Sequence, residues 1–217
     1  MNAAEITGTL YSAVLSDVLD EVGFPDQALR PFMRPLDDSL VLFGRARTGA
    51  YTNTYSVADG ENPYELEIAL LDDLRPGDVA VIGCDGPTER LAPWGELLTT
   101  AAMARGAAGC VTDGLVRDVR KIRERRFPVF HGGIGPLDSR GRGRMVEMDR
   151  PVDCGGVRVR TGDMIFGDVD GVVVIPAEIA DDVIARAMHK VTAENNTRDE
   201  LLQGKLLADV YAKYGVL

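Results

Sequence analysis

Trp94-Gly95-Glu96-Leu97-Leu98 opens, and Asp113-Gly114-Leu115-Val116-Arg117-Asp118 closes, the stretch on which the reading of this chain turns. Between them, small apolar residues predict a helix over Leu97–Arg105, Gly106 a turn, and an apolar run a buried strand over Gly109–Thr112. A helix followed by a returning strand brings the helix N-terminus near the loop at the strand's C-terminal end. That crevice is where open α/β sheets usually hold ligands. A helix N-terminus offers free N–H groups and a positive dipole end to a carboxylate or phosphate. Glu96 and Asp118 offer hard oxygens to Mg²⁺ or Mn²⁺, and Arg117 a fixed cationic fork for an anion. Blander readings stand beside these. Arg117-Asp118 suits a surface ion pair or an N-cap by Asp118, and Glu96 suits a first-turn helix acid.

Upstream, Leu10, Val14, Val18 and Val22 recur at helical spacing and predict one helix over Ile6–Val22, stopped by Gly23. Phe24–Asp38 reads as loop, Val41–Thr52 as a strand bent at Gly44 or Gly49, and Asn53–Glu61 as a polar loop. Pro63 opens a helix through Leu74, and the turn Arg75-Pro76-Gly77-Asp78 delivers a buried strand, Val79–Cys84. Downstream come a basic helix (Val119–Arg126), a strand (Val129–His131) and a Gly/Arg-rich loop (Gly132–Arg144). Short strands follow at Val157–Val159, Met164–Phe166 and Val172–Ile175, then helices over Ala177–Gln203 and Leu206–Tyr214. Helices alternating with strands in the middle and hairpins later predict an α/β domain, with a mixed sheet, flanking helices and a C-terminal helical extension.

The 217 residues are read as one domain, 1–217, with 45% hydrophobic and 27% charged residues, as in an ordinary globular protein. A net charge of −10 with no long basic block argues against nucleic acid as a partner. The start has no signal-peptide layout and no apolar run reaches the roughly 18 residues of a membrane span, so a cytoplasmic protein with no membrane partner is expected. Cys84, Cys110 and Cys154 are too widely spaced for a zinc site or disulfide framework. His131 and His189 lack companions for a metal site, and Asp168-Val169-Asp170-Gly171 is explained by a tight hairpin turn. Lys121 lies between Arg120 and Arg123 on a solvated helix face, which disfavours imine chemistry and leaves metal catalysis ahead. No phosphate-binding glycine fingerprint occurs.

Taken together, Trp94–Leu98, Asp113–Asp118, Phe127-Pro128-Val129-Phe130, Gly162-Asp163 and the run from Asp168 to Pro176 resemble the regulator of ribonuclease activity A (RraA) family. That family includes the divalent-metal-dependent 4-hydroxy-4-methyl-2-oxoglutarate and 4-carboxy-4-hydroxy-2-oxoadipate aldolases. The likeness runs from Ser16-Asp17-Val18-Leu19 to Tyr214-Gly215-Val216-Leu217. It implies a swivelling β/β/α fold assembled as trimers or hexamers, with sites between subunits and the C-terminal helices, 177–217, packed on a neighbour. By the same resemblance Asp118 is the metal ligand, Mg²⁺ ahead of Mn²⁺, and Arg117 holds the oxo and carboxylate oxygens of a small 2-oxo acid. Glu96 faces the metal's water, and amides of Gly95, Glu96, Leu97 and Leu98 take the substrate carboxylate. Glu194 matches an acid reaching in from a neighbouring subunit, and Asn62 a polar site residue.

The implied reaction is aldol cleavage to pyruvate plus a second oxo acid, with oxaloacetate decarboxylation through the same enolate as a side reaction. Two positions depart from the aldolase pattern: Glu96 stands where an Asp is usual, and Lys121 where an acid follows the Arg-Asp pair. Lys121 resembles the non-catalytic members that bind and inhibit a ribonuclease. A related lyase or hydratase on a sugar-derived acid is a third reading.

Overall fold

The computed structural model describes residues 2–215, so Val216 and Leu217 of the closing family-like segment lie outside the described residues. Helices α1 (Ala3–Thr9) and α2 (Ser12–Glu21) precede strands β1 (Arg34–Pro35) and β2 (Leu42–Asn53). Helix α3 (Glu65–Asp72), strand β3 (Asp78–Gly83), helix α4 (Glu96–Ala104), strand β4 (Gly109–Val116), helix α5 (Val119–Glu124) and strand β5 (Val129–Ile134) alternate through the middle. Strands β6 (Gly143–Met148), β7 (Val152–Cys154), β8 (Val157–Val159), β9 (Met164–Asp168) and β10 (Gly171–Ile175) follow. A 3₁₀ turn (Ala177–Ile179) then leads into α6 (Ala180–Leu202) and α7 (Leu207–Tyr214).

Strands β2, β3, β4 and β5 pair in parallel, whereas β9 and β10 join antiparallel, giving the order β1-β5-β4-β3-β2-β9-β10. The expected mixed α/β architecture is therefore present. The twelve-residue β2 is its spine. One edge carries β3, while the other carries β9 over Leu42–Arg45 and β6 over Gly49–Asn53, with a register shift between Ala50 and Tyr51. Strands β3 and β4 are buried along their whole length, as parallel strands covered on both faces must be. Alternate residues divide between two cores. Ala80, Ile82 and Cys110 face Leu70, Trp94, Ala102, Ile122 and Phe127 of the helical layer. Val79, Val81 and Val111 face the β7–β8 hairpin, packed with Leu29 and Met33. A third cluster seats α1, α2 and α6 on Phe166, Val173 and Ile175 of β9 and β10.

Several boundaries differ from the sequence reading, each for a tertiary reason. The single helix expected over Ile6–Val22 is broken, with Leu10 and Tyr11 extended. The Asp168 carboxylate accepts the Ser12 backbone N–H at 2.7 Å and its hydroxyl at 2.6 Å. That bond replaces the one Ser12 N–H would give an earlier turn, so a carboxylate 156 residues away caps α2. Asp168 also accepts Asp170 N–H at 3.0 Å within the predicted hairpin turn. β4 runs on to Val116, β5 absorbs Gly132–Ile134, and β6, unforeseen, begins at Gly143, leaving the expected loop spanning only 135–142. β6 alternates in burial from Gly143 to Val146, but its hydropathy does not, since apolar Val146 is exposed and one buried position is a glycine, so a period-2 reading of the sequence misses it.

One buried cation ties three acidic residues, from two connections, to the spine. Arg47 of β2 bonds Asp149 through Nε and Nη2 (2.8 and 2.9 Å), the Asp73 carboxylate through Nη2 (2.8 Å) and the Asp73 carbonyl through Nη1 (3.1 Å). Its Nη1 also lies 3.8 Å from the buried Asp78 carboxylate.

Candidate active site

Leu91–Trp94 runs alongside the end of β4. Leu115 N–H donates to the Leu91 carbonyl at 3.2 Å and Arg117 N–H to the Trp94 carbonyl at 3.0 Å. Trp94, 1% exposed, stacks on Phe127 and donates its indole N–H to Thr99 Oγ1 at 2.9 Å. Thr99 in turn donates to the Gly95 carbonyl at 3.0 Å. The Trp thus anchors the first turn of α4 beside Arg117 and Asp118, as the helix–strand reading expected. Contact is close enough that a Cβ on Gly95 would sit 2.9 Å from Asp118 Oδ2 and 3.2 Å from Arg117 Cγ. Glycine there lets the helix start meet the Arg-Asp pair.

A cavity of about 310 Å³ opens at this junction, lined among others by Gly95, Leu97, Leu98, Arg117, Asp118 and Asp138. The Gly95 N-cap offers no side chain, and Asp118 takes the Glu96 N–H, so the dipole end and the amides that follow Glu96 face an anion. Asp118 is left-handed (φ 58°), and its Oδ2 accepts Glu96 N–H at 3.3 Å. The Arg117 guanidinium stands between two carboxylates, with Nε 3.8 Å from Asp118 Oδ2 and Nη1 3.4 Å from Asp138 Oδ1. Tyr64 donates its hydroxyl to Asp138 Oδ2 at 2.8 Å. Burial would push the Asp138 carboxyl up, but the Tyr64 hydroxyl, Arg117 and neighbouring amides bring it below its ordinary value. Burial and the same bond push Tyr64 up to about 12.

The remaining sequence-derived candidates are not gathered here within one chain. Glu96 turns toward α5, where Arg125 and Thr100 bond it and Lys121 adds positive charge, holding its carboxyl below the usual range. The acid and the unusual Lys121 are therefore electrostatic neighbours. Asn62 accepts Tyr64 N–H at 3.1 Å and lines a separate groove with Glu61, Glu65 and Arg144. Glu194 lies on α6 in hydrogen-bond contact with Tyr11, its carboxyl raised by burial. In this chain α6 packs against α2 and α7 against α6.

Three titratable residues of the cavity escaped the sequence reading: Tyr64, Asp138 and Glu67. Glu67 is the most telling. It is 5% exposed and accepts the Tyr51 hydroxyl at 2.5 Å. Burial first, and then the nearby Asp138, raises its carboxyl to about 7 despite the Tyr51 bond and Arg117. The signal was in the spacing, because Glu67 shares the helix face of Leu70, Leu71 and Leu74, a carboxylate where the period calls for an apolar residue. A folded value above the unfolded 4.5 means that stability is full below about 4.5 and is lost as pH rises through about 7. Glu67→Gln, which keeps an acceptor for Tyr51, is expected to remove that loss, gaining about 2–3 kcal/mol over wild type at pH 8 and little at pH 4.5. Urea unfolding at the two pH values measures it, and equal gains at both would refute the burial argument.

A metal at this junction would find Asp118 as its carboxylate. Among the described residues no group of three or more His, Cys, Asp or Glu could hold an ion. That donor set does not fit a cage for a thiolate- or imidazole-seeking metal. It does fit Mg²⁺ or Mn²⁺, which bind through one or two carboxylates and keep the remaining positions for water and substrate oxygens. Among the described residues no helix is long and apolar enough to cross a membrane.

Comparison with known proteins follows the geometry. The family model described as "RraA-like: Aldolase/RraA" matches residues 12–174. The protein named "Putative 4-hydroxy-4-methyl-2-oxoglutarate aldolase" of Halalkalibacterium halodurans is 33% identical over 200 residues, covering 92% of this chain and 88% of that protein. Streptomyces coelicolor RraAS2, described as an unusual member of the RNase ES inhibitor RraA protein family, superposes with TM-score 0.78 at 26% identity, covering 91% of this chain and 97% of that one. An uncharacterized protein of Pseudomonas syringae pv. tomato gives TM-score 0.81 at 25% identity, with 96% and 97% covered.

Proposed function

Because the chain belongs to the RraA-like (aldolase/RraA) family, we propose that it is a divalent-metal-dependent lyase. It cleaves a 4-hydroxy-2-oxo dicarboxylic or tricarboxylic acid to pyruvate and a second oxo acid, and decarboxylates oxaloacetate as a side reaction. One observation carries this reading: the start of α4, Arg117 and the half-exposed Asp118 meet in one cavity. The amides of α4 bind the substrate carboxylate, and the Arg117 fork takes the oxygen on which negative charge develops. Asp118 would hold the divalent ion, which when bound polarises the 2-oxo carbonyl as a Lewis acid. Tyr64 and Asp138 fix Arg117 from the far side.

The proposal includes a trimeric or hexameric assembly in the cytoplasm, in which α6 of a second copy brings Glu194 to the cavity, and no nucleic-acid partner. A second reading, a non-catalytic regulator that binds a ribonuclease, is favoured by one observation: Arg125 and Lys121 draw Glu96 away from the cavity.

The test is pyruvate release from oxaloacetate and from 4-hydroxy-4-methyl-2-oxoglutarate with Mg²⁺, with EDTA, and in Asp118→Ala. Turnover is expected only with the metal and Asp118, and the variant should fall by on the order of 10²–10³. Silence from folded, Mg²⁺-supplied wild type on both substrates would discard the lyase and leave the regulator.

A further inference from the structure

The lyase reading leaves one proton without a donor. When the C–C bond breaks, its electron pair enters an enolate, and C3 must receive a proton before pyruvate is complete. We propose that Glu67 is the catalytic acid that protonates C3, held in place by Tyr51. The inference rests on the lyase reading and names a residue that reading does not need for binding.

Its basis is placement. Glu67 lines the same cavity as Arg117 and Asp118, yet it sits at the buried end, 5% exposed. An acid on the apolar face of α3 is costly unless partnered, and its partner among the described residues is a single neutral hydroxyl, Tyr51 at 2.5 Å. No cation bonds it. Arg117 is taken up by Asp118 and Asp138. Around Glu67 stand Tyr64 at the N-cap of its helix, Tyr51 of β2, Cys84 after β3, Arg117 after β4, and Asp138 of the 135–142 loop. Arg144 of β6 points elsewhere, paired with Glu61. Burial and the Asp138 charge keep Glu67 protonated to about pH 7, the range in which a carboxylic acid can both give and regain a proton. The step balances: the Glu67 O–H bond breaks, the enolate pair forms the C3–H bond, and the carboxylate left behind is reprotonated by water through the open cavity.

Run backward, the same group must remove a methyl proton from pyruvate, which gives the experiment. Wild type with Mg²⁺ and pyruvate in D₂O, followed by proton NMR, is expected to exchange the methyl protons with a pH limb near 7. Glu67→Gln should slow exchange by on the order of 10²-fold or more, while the KM for oxaloacetate changes less than about threefold. Tyr51→Phe keeps the acid but removes the hydroxyl that holds it down, so its limb should move upward. Exchange by Glu67→Gln at the wild-type rate, or an unmoved limb in Tyr51→Phe, would overturn the role of Glu67 and leave the lyase intact. Wild type that neither exchanges pyruvate nor decarboxylates oxaloacetate would instead overturn the reaction beneath it.

Discussion

Arg117→Ala is expected to lower pyruvate release from oxaloacetate by about 10³-fold, and Arg117→Lys to restore only a small part of it. A preorganised donor aimed at developing charge is worth roughly 10²–10³ in turnover. Arg117 is also the cation between Asp118 and Asp138, so alanine leaves two carboxylates facing one cavity. Lysine carries the charge but not the fork, and it cannot serve both carboxylates and a substrate oxygen at once. Turnover at saturating Mg²⁺ measures the effect. Calorimetric Mg²⁺ titration separates its cause, since the variant should bind the ion at least as tightly as wild type. A loss below tenfold would mean that Arg117 organises the carboxylates without acting on the reaction.

Arg47→Ala should cost the fold about 3 kcal/mol, toward the low end for removing one partner of a buried ion pair. Asp78 is buried and loses its nearby cation, while Asp73 and Asp149 are partly exposed and water offsets much of their loss. For a chain of this size that corresponds to a drop in Tm of roughly 10 °C. The pH dependence has a definite sign. Arg47 holds the Asp73 carboxyl below its ordinary 3.8, so the pair stabilises above that value and the effect fades as pH falls through and below it. The difference between wild type and variant should therefore narrow in acid by the Asp73 share. A Tm difference under 3 °C at pH 7, or one that widens in acid, would contradict this account.

Much of the architecture was legible because it rests on local signals. The turn before β3, the apolar runs of β3 and β4, and the Asp-x-Asp-Gly hairpin each announce themselves within a few residues. The Gly95–Asp118 junction was also legible, since a helix that returns along a strand leaves little choice about where its start lies. What could not be read depends on distant partners. Nothing within the first helix says that Asp168 will claim Ser12 and break it. Asp138 was hidden in a loop, and its meaning comes only from Arg117 and Tyr64, which fold onto it from other elements. Glu96 had the right spacing, but its direction is set by Arg125, one turn beyond the residue that broke the family pattern. Glu67 differs from these, because its place on the apolar face with Leu70, Leu71 and Leu74 is visible in the sequence itself.

The long β2 strand also has a consequence in time. Its free edge waits for two strands, β6 and β9, the second of which begins about 110 residues after β2 ends. At synthesis rates of roughly 5–20 residues per second, a nascent chain carries that twelve-residue edge unpaired for several seconds or more. An exposed edge of this length is a template for another chain. Leu42, Gly44, Ala46 and Gly49 lie on it with few charges among them, Arg45 and Arg47 being the exceptions. Charge on an edge is one means by which strands discourage such pairing, and Arg47, which ties Asp73 and Asp149 to β2 in the finished fold, is one of the two charges this edge carries.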